Sequence, residues 1–166
     1  RFVVFASEAT NLVSNDTTDA TDVFIYDRQT GMTEIVSLST GGAQADFDSG
    51  LPDVSADGRY VTFTSIANNL STQDNNNFAN IFVRDRQTGP TDLDSSGFDG
   101  SPADGNSTLS RISDDGRHVS FYSSADNLVA GGTDFANIFV FDRDTRTAER
   151  VSFDVAGFVD ADERLI

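Results

Sequence analysis

Side chains that could hold a hard cation are concentrated in two stretches of this 166-residue chain, Asn15-Asp16-Thr17-Thr18-Asp19-Ala20-Thr21-Asp22 and Gln73-Asp74-Asn75-Asn76-Asn77-Phe78-Ala79-Asn80. Carboxylate and amide oxygens spaced this closely suit Ca²⁺, which takes roughly six to eight oxygen ligands at about 2.3 to 2.6 Å. The candidate ligands are Asp16, Asp19 and Asp22 in the first stretch and Asp74, Asn76 and Asn80 in the second. The pattern is not that of a defined calcium loop, because the acids are three residues apart, the turn glycine and distal Glu are absent, and a related stretch near Phe135 keeps only Asp134 and Asn137. The same residues also read as Asx turns that satisfy their own backbone. Calcium is therefore an expectation and no other cofactor is implied.

Other chemistry is thinly supported. The chain has no Cys, which removes thiolate nucleophiles, thiolate metal sites and disulfides together. All 11 basic residues are Arg, so no lysine can form a Schiff base, and His118 has no partner histidine. Paired carboxylates are possible among 23 Asp, but that abundance makes no single pair informative. No catalytic residue is assigned. The 27 acidic against 11 basic residues give a net charge of −16, which excludes nucleic acid as the expected partner. No apolar run approaches the roughly 18 residues that a membrane helix needs.

The elements that must position these groups follow from a repeat. Arg1-Phe2-Val3-Val4-Phe5-Ala6-Ser7 recurs as Arg59-Tyr60-Val61-Thr62-Phe63-Thr64-Ser65 and as Arg117-His118-Val119-Ser120-Phe121-Tyr122-Ser123, two offsets of 58. Asp22-Val23-Phe24-Ile25-Tyr26-Asp27-Arg28-Gln29-Thr30-Gly31 recurs from Asn80, again at an offset of 58, and then from Asn137, at an offset of 57. The approximate repeats are 1–58, 59–116 and a shortened 117–166, all in one segment.

Each repeat predicts four short antiparallel strands. Leu51 to Ser55 and Leu109 to Ser113 lead into Asp-Gly turns, whose glycine supplies positive φ. Arg59 to Ser65 follows, then a β-branched and aromatic run such as Ile81 to Arg84. The Asp-Arg-Gln-Thr-Gly segment turns into a fourth strand, Thr33 to Leu38 or Ala148 to Phe153. No helical periodicity occurs. The expected fold class is all-β, built of four-stranded antiparallel propeller blades of about 58 residues.

Within that frame the recurring Asp27-Arg28, Asp85-Arg86 and Asp142-Arg143 pairs read as turn caps and blade-to-blade ion pairs, as do Asp57 and Asp115. His118 fills a slot held by Phe2 and Tyr60. Tyr26, Arg84 and Phe141 share one position and differ in chemistry, as residues facing a partner do. Long Gly/Ser/Asp loops, with Phe47 and Phe98 as their only anchors, are where binding is expected.

Ser55-Ala56-Asp57-Gly58-Arg59-Tyr60-Val61-Thr62-Phe63-Thr64-Ser65, followed by Asn80-Ile81-Phe82-Val83-Arg84-Asp85-Arg86-Gln87-Thr88-Gly89, resembles the WD40-like (PD40) repeat of TolB-type propellers. The resemblance spans nearly the whole chain in three copies and implies a non-enzymatic binding or structural module, one that engages protein or glycan through a propeller rim. A propeller domain of a secreted hydrolase or lyase is the alternative. Three blades are fewer than the four to eight or so that a propeller uses, so the expectation is part of a larger propeller, or one completed by self-association of open blade edges. The Asp-rich, Lys-free surface fits an exported protein, whether secreted, at the cell surface or periplasmic.

Overall fold

The computed structural model describes residues 1–74, 76–133 and 135–152. Eleven strands form among them, all antiparallel to their neighbours and with no helix. The first sheet contains β1 (Phe2–Ser7), β2 (Asp22–Asp27) and β3 (Met32–Ile35). The second contains β4 (Ser49–Val54), β5 (Tyr60–Ser65), β6 (Asn80–Asp85) and β7 (Thr91–Leu93), and the third β8 (Ser107–Ile112), β9 (His118–Ser123), β10 (Asn137–Asp142) and β11 (Thr147–Arg150). In each sheet the strands lie in chain order, the signature of a blade. The first sheet holds counterparts of β5, β6 and β7 and none of β4.

Identical register carries the repeat into space. Phe5 pairs with Phe24, Phe63 with Phe82 and Phe121 with Phe139, and the rings of each pair stack at 5.7, 5.9 and 6.0 Å. Because side chains alternate along a strand, each sheet has two apolar faces, and each face needs a neighbouring blade. Val23 and Ile25 of the first sheet pack with Val61, Phe63 and Phe82 of the second. Ile81 and Val83 of the second pack with Val119, Phe121, Phe139 and Phe141 of the third. Phe2 and Val4 lean into the first of these seams, as their alternation predicts.

The ladders place all short turns at one end of the sheets and all long connections at the other. The turn rim carries 28–31, 55–59, 86–90, 113–117 and 143–146; the loop rim carries 8–21, 36–48, 66–79, 94–106 and 124–136.

Two local departures from expectation have physical causes. The fourth strands are shorter than the sequence suggests because a serine side chain takes over the ladder: Val23 N–H donates to Ser37 Oγ (3.1 Å) and Ile81 N–H to Ser95 Oγ (3.0 Å). The innermost strands β4 and β8 begin earlier, at Ser49 and Ser107, because each contains a bulge that the alternation does not reveal. At these bulges Leu51 and Leu109 take φ of 52° and 58°, a left-handed conformation uncommon for leucine, and both side chains are exposed. Phe153, the expected end of a fourth strand, and the rest of the third repeat to 166 lie outside the described residues.

Candidate functional site

The turn rim is built from charge and it is structural. Asp85 caps its turn by accepting from Gln87 N–H (2.9 Å) and Thr88 Oγ1 (2.7 Å), and it receives Arg59 through Nε (3.1 Å) and NH2 (2.7 Å). Asp27 with Arg1 and Asp142 with Arg117 repeat the arrangement. These hydrogen bonds stabilise the anion, so all three carboxyls are held well below their usual range, with the Arg partner as the leading cause. Asp57 and Asp115 accept from Ser55 and Ser113 and from the N–H of Arg59 and Arg117.

The arginines that follow the second and third caps reach the preceding blade. Arg86 pairs with Glu34 (3.0 Å) and lies over the Phe2 ring (5.5 Å); Arg143 pairs with Asp92 (2.9 Å) and lies over Tyr60 (4.8 Å). The expected division of labour between Asp and Arg is observed for Asp85-Arg86 and Asp142-Arg143, whereas in the first copy Asp27 caps its turn and Arg28 is exposed. His118 occupies the slot of Phe2 and Tyr60 and stands 3.8 Å from Asp142, with no second histidine or metal-ligand cluster among the described residues.

One residue that the sequence reading passed over stands out. Asp94 is fully buried, where the other repeats carry Val36 and Val151. Its Oδ2 lies 3.0 Å from Arg143 Nε and its Oδ1 3.9 Å from Arg146 NH1. Neither oxygen receives an aligned hydrogen bond. Burial pushes the Asp94 carboxyl up to about 7, against the pull of the two guanidiniums. The available signal was the Asp itself at a position that is otherwise valine.

The shared position of Tyr26, Arg84 and Phe141 is not a partner surface across the repeats. Phe141 is buried in the seam between the second and third sheets, and Arg84 donates to Ser39 C=O (2.9 Å) and Thr91 Oγ1 (3.1 Å). Only Tyr26 is exposed, so the variation reflects what each seam requires.

The Asp/Asn loops lie on the loop rim and are not equivalent. In the first, Asp22 is buried with Oδ1 accepting from Ser37 Oγ and Oδ2 from Thr18 Oγ1 (3.1 Å). Asn80 and Asn137 accept from Ser95 (2.9 Å) and Ser152 (2.7 Å) in the same way, which assigns this position to closing the blade. Asp16 accepts from Gln44 Nε2 (3.2 Å), and Asp19 is exposed. In the second loop Gln44 is replaced by Pro102, which has no side-chain donor, and Asp74 is buried with neither oxygen receiving a well-aligned hydrogen bond among the described residues, Asn76 N–H and Asn80 being its nearby donors. Burial raises the Asp74 carboxyl. Asn76 Oδ1 accepts from Phe78 N–H (3.0 Å) and Asn80 Nδ2 (3.3 Å) nearby. Asp134 lies outside the described residues.

The same rim gathers apolar side chains that face solvent: Leu12, Phe47, Ile66, Phe98 and Phe135 are all exposed and all sit on its loops. Below Ile66 a cavity of about 250 Å³ opens between Thr21, Asp48, Leu51 and Thr64. Polar loops with aromatic tips on a rigid sheet scaffold can grip a surface, and no histidine, lysine or cysteine stands beside them.

Neither a protein-family profile nor a curated protein sequence matches the chain. Solved structures do. TolB from Acinetobacter baumannii superposes with a TM-score of 0.51 at 14% identity, covering 96% of this chain and 32% of TolB. A protein assigned as TolB from Agrobacterium tumefaciens gives 0.54 at 14% identity, over 90% of this chain and 44% of that one. An acylaminoacyl peptidase from Pyrococcus horikoshii gives 0.53 at 15% identity, over 90% and 23%. The chain thus spans less than half the length of each. Blade order, register and these superpositions agree that the chain has the TolB-like β-propeller fold.

Proposed function

We propose that the protein is a non-enzymatic binding module that engages a protein partner through its loop rim, and that it works outside the cytoplasm. The observation that carries this reading is the exposure of Phe47 and Phe98, 52% and 62%, on the long loops of one rim while the opposite rim is occupied by internal ion pairs. Aromatic side chains are the usual anchors of protein interfaces. Two of the acids that break the repeat are engaged inside the fold: Asp94 faces Arg143, and Asp53 Oδ2 accepts from Ile112 N–H (3.0 Å) between two innermost strands. These two are therefore committed to the fold and not to hydrolase or lyase chemistry. The Lys-free surface of charge −16 supports an exported protein, since it stays hydrated where salt screens its self-repulsion. No helix among the described residues is long and apolar enough to cross a membrane.

The test is site-specific photo-crosslinking in producing cells. A photoreactive phenylalanine at position 47 or 98 is expected to yield protein adducts, and one at Gln87 or Asp115 on the turn rim is not. Adducts confined to the turn rim would defeat the reading.

A second reading concerns calcium at the second loop, supported by the buried Asp74 carboxylate, which receives no well-aligned hydrogen bond among the described residues, beside Asn76. Asp74 would be the ligand from its side chain, with Asp22 and Asn80 closing their blades through Ser37 and Ser95 and Asp16 bonded to Gln44. Calorimetric titration with calcium chloride is expected to show binding to the wild type that is lost in Asp74→Asn. Equal heats for both proteins, or none for either, remove the site.

A further inference from the structure

Arginines inside the molecule are held by a recurring combination, one carboxylate and one aromatic ring. Arg86 meets Glu34 (3.0 Å) while lying over Phe2 (5.5 Å), and Arg143 meets Asp92 (2.9 Å) while lying over Tyr60 (4.8 Å). Arg59 repeats it with Asp85 (2.7 Å) and Tyr60 (4.6 Å). A guanidinium suits such a pair because the carboxylate accepts its hydrogen bonds while the ring face attracts its charge.

The loop rim carries the same two groups side by side. Phe47 stands between Asp46 and Asp48, and Phe98 precedes Asp99. All of these side chains are exposed. Asp46 Oδ1 accepts from Asn68 N–H (3.0 Å), Asp48 Oδ1 from Thr21 N–H (2.9 Å) and Asp99 Oδ1 from Ser101 N–H (3.0 Å), bonds that fix the loop tips and bring no positive charge to them. None of the three acids makes an ion pair among the described residues.

Nor does the rim supply a cation of its own. Loops 8–21, 36–48, 66–79, 94–106 and 124–136 contain no Arg, Lys or His, while Glu8, Asp19, Asp104 and Asp126 add exposed carboxylates to them. Arg84, which reaches Ser39 C=O, and Arg150, at the end of β11, are both half-buried on strands. The turns of the opposite rim hold Arg28, Arg59, Arg86, Arg117, Arg143 and Arg146. The charge of −16 is therefore unevenly placed, with its unpaired part gathered where the aromatic rings face solvent.

We propose that the partner engaged by the loop rim presents a basic segment of protein, whose arginine or lysine side chains lie over Phe47 and Phe98 and pair with Asp46, Asp48 and Asp99. This rests on the loop rim being the binding surface. Nucleic acid and anionic lipid carry the wrong charge for it. Opposite charges speed the encounter and make it weaken as salt is added.

Calorimetric titration of the full chain with two short synthetic peptides, at low salt and with EDTA present, tests this. One peptide alternates arginine with leucine; the other replaces each arginine by citrulline, which keeps the shape and loses the charge. The arginine peptide is expected to bind at least about tenfold more tightly than the citrulline peptide. Asp48→Asn with Asp99→Asn keeps the Oδ1 acceptors and is expected to weaken that binding at least about tenfold, and Phe47→Leu with Phe98→Leu severalfold. Asp114→Asn with Asp144→Asn on the turn rim changes the net charge equally and is expected to leave binding within about twofold. Equal binding of the two peptides, no binding of either, or equal weakening by the loop-rim and turn-rim pairs overturns the proposal. If protein adducts still form at positions 47 and 98, any of these results removes the basic partner and leaves the rim as the binding surface. Adducts confined to the turn rim remove the surface itself.

Discussion

Arg143 places its Nε 3.0 Å from Oδ2 of Asp94, joining a guanidinium of the third sheet to a fully buried carboxylate of the second. Two departures from the repeat meet here. Asp94 stands where the other copies have Val36 and Val151, and Arg146, which also faces Asp94, stands where they have Gly31 and Gly89. Arg146 keeps the turn's positive φ, 57°, without being glycine. The seam between the second and third sheets is therefore marked as different from the one before it, which gives near-identical blades a means of telling their neighbours apart.

The raised carboxyl of Asp94 predicts an unusual pH dependence. Its folded value, about 7, lies above the ordinary 3.8, so the native state holds this proton more tightly than the unfolded chain. The associated stability is complete below pH 3.8 and is lost as pH rises towards 7. Thermal melts from about pH 4 to pH 8 should show the wild type losing stability relative to Asp94→Asn across that interval, with little further change above it. Parallel curves for the two proteins would contradict the assignment.

Asp85 predicts the opposite slope in a separate window. Its folded carboxyl is held below 3.8 by Arg59 and the turn donors, so its contribution is present above that value and disappears as pH falls beneath it. Asp85→Asn should therefore lower the melting temperature at neutral pH, with the difference from wild type shrinking below about pH 4. A difference that persists undiminished in acid would show that the turn does not depend on the charge.

Gly58 is required twice over. Its φ is +76°, and a Cβ there would lie 2.2 Å from the Phe2 ring of the preceding sheet. Gly42 has φ of +84° but open space around it. Gly58→Ala is expected to cost about 3 kcal/mol or more in urea unfolding, whereas Gly42→Ala is expected to cost only about 1 to 2 kcal/mol, the left-handed penalty alone. Equal costs would mean that the aromatic contact across the seam contributes nothing.

The blade pattern, the short turns and the Asp-Arg caps were legible in the sequence because repetition multiplies weak local signals: one Asp-Gly is ambiguous, but the same turn at the same place in successive repeats is not. Residues whose meaning depends on the neighbouring blade were not legible. Phe141 and Arg84 look variable along the chain and turn out to be matched to what each seam presents. The bulges at Leu51 and Leu109 break the period-two rule with a residue that gives no sign of it. The difference between Asp16 and Asp74 depends on Gln44 and Pro102, each of which sits on another loop of the rim. The exposed aromatics of the loop rim were visible as Phe47 and Phe98, but only the ladders show that Leu12, Ile66 and Phe135 share their rim.

The binding role of that rim is tested most directly by calorimetric titration of the protein recovered as the adduct at position 98. Replacing Phe98 by Ser is expected to leave the melting temperature unchanged, since the ring is exposed, and to weaken binding at least roughly tenfold, as loss of an aromatic anchor does. Affinity unaltered by Phe98→Ser and Phe47→Ser together, but lost on substitution of Gln87 on the turn rim, would place the binding surface at the other end of the sheets and contradict the account.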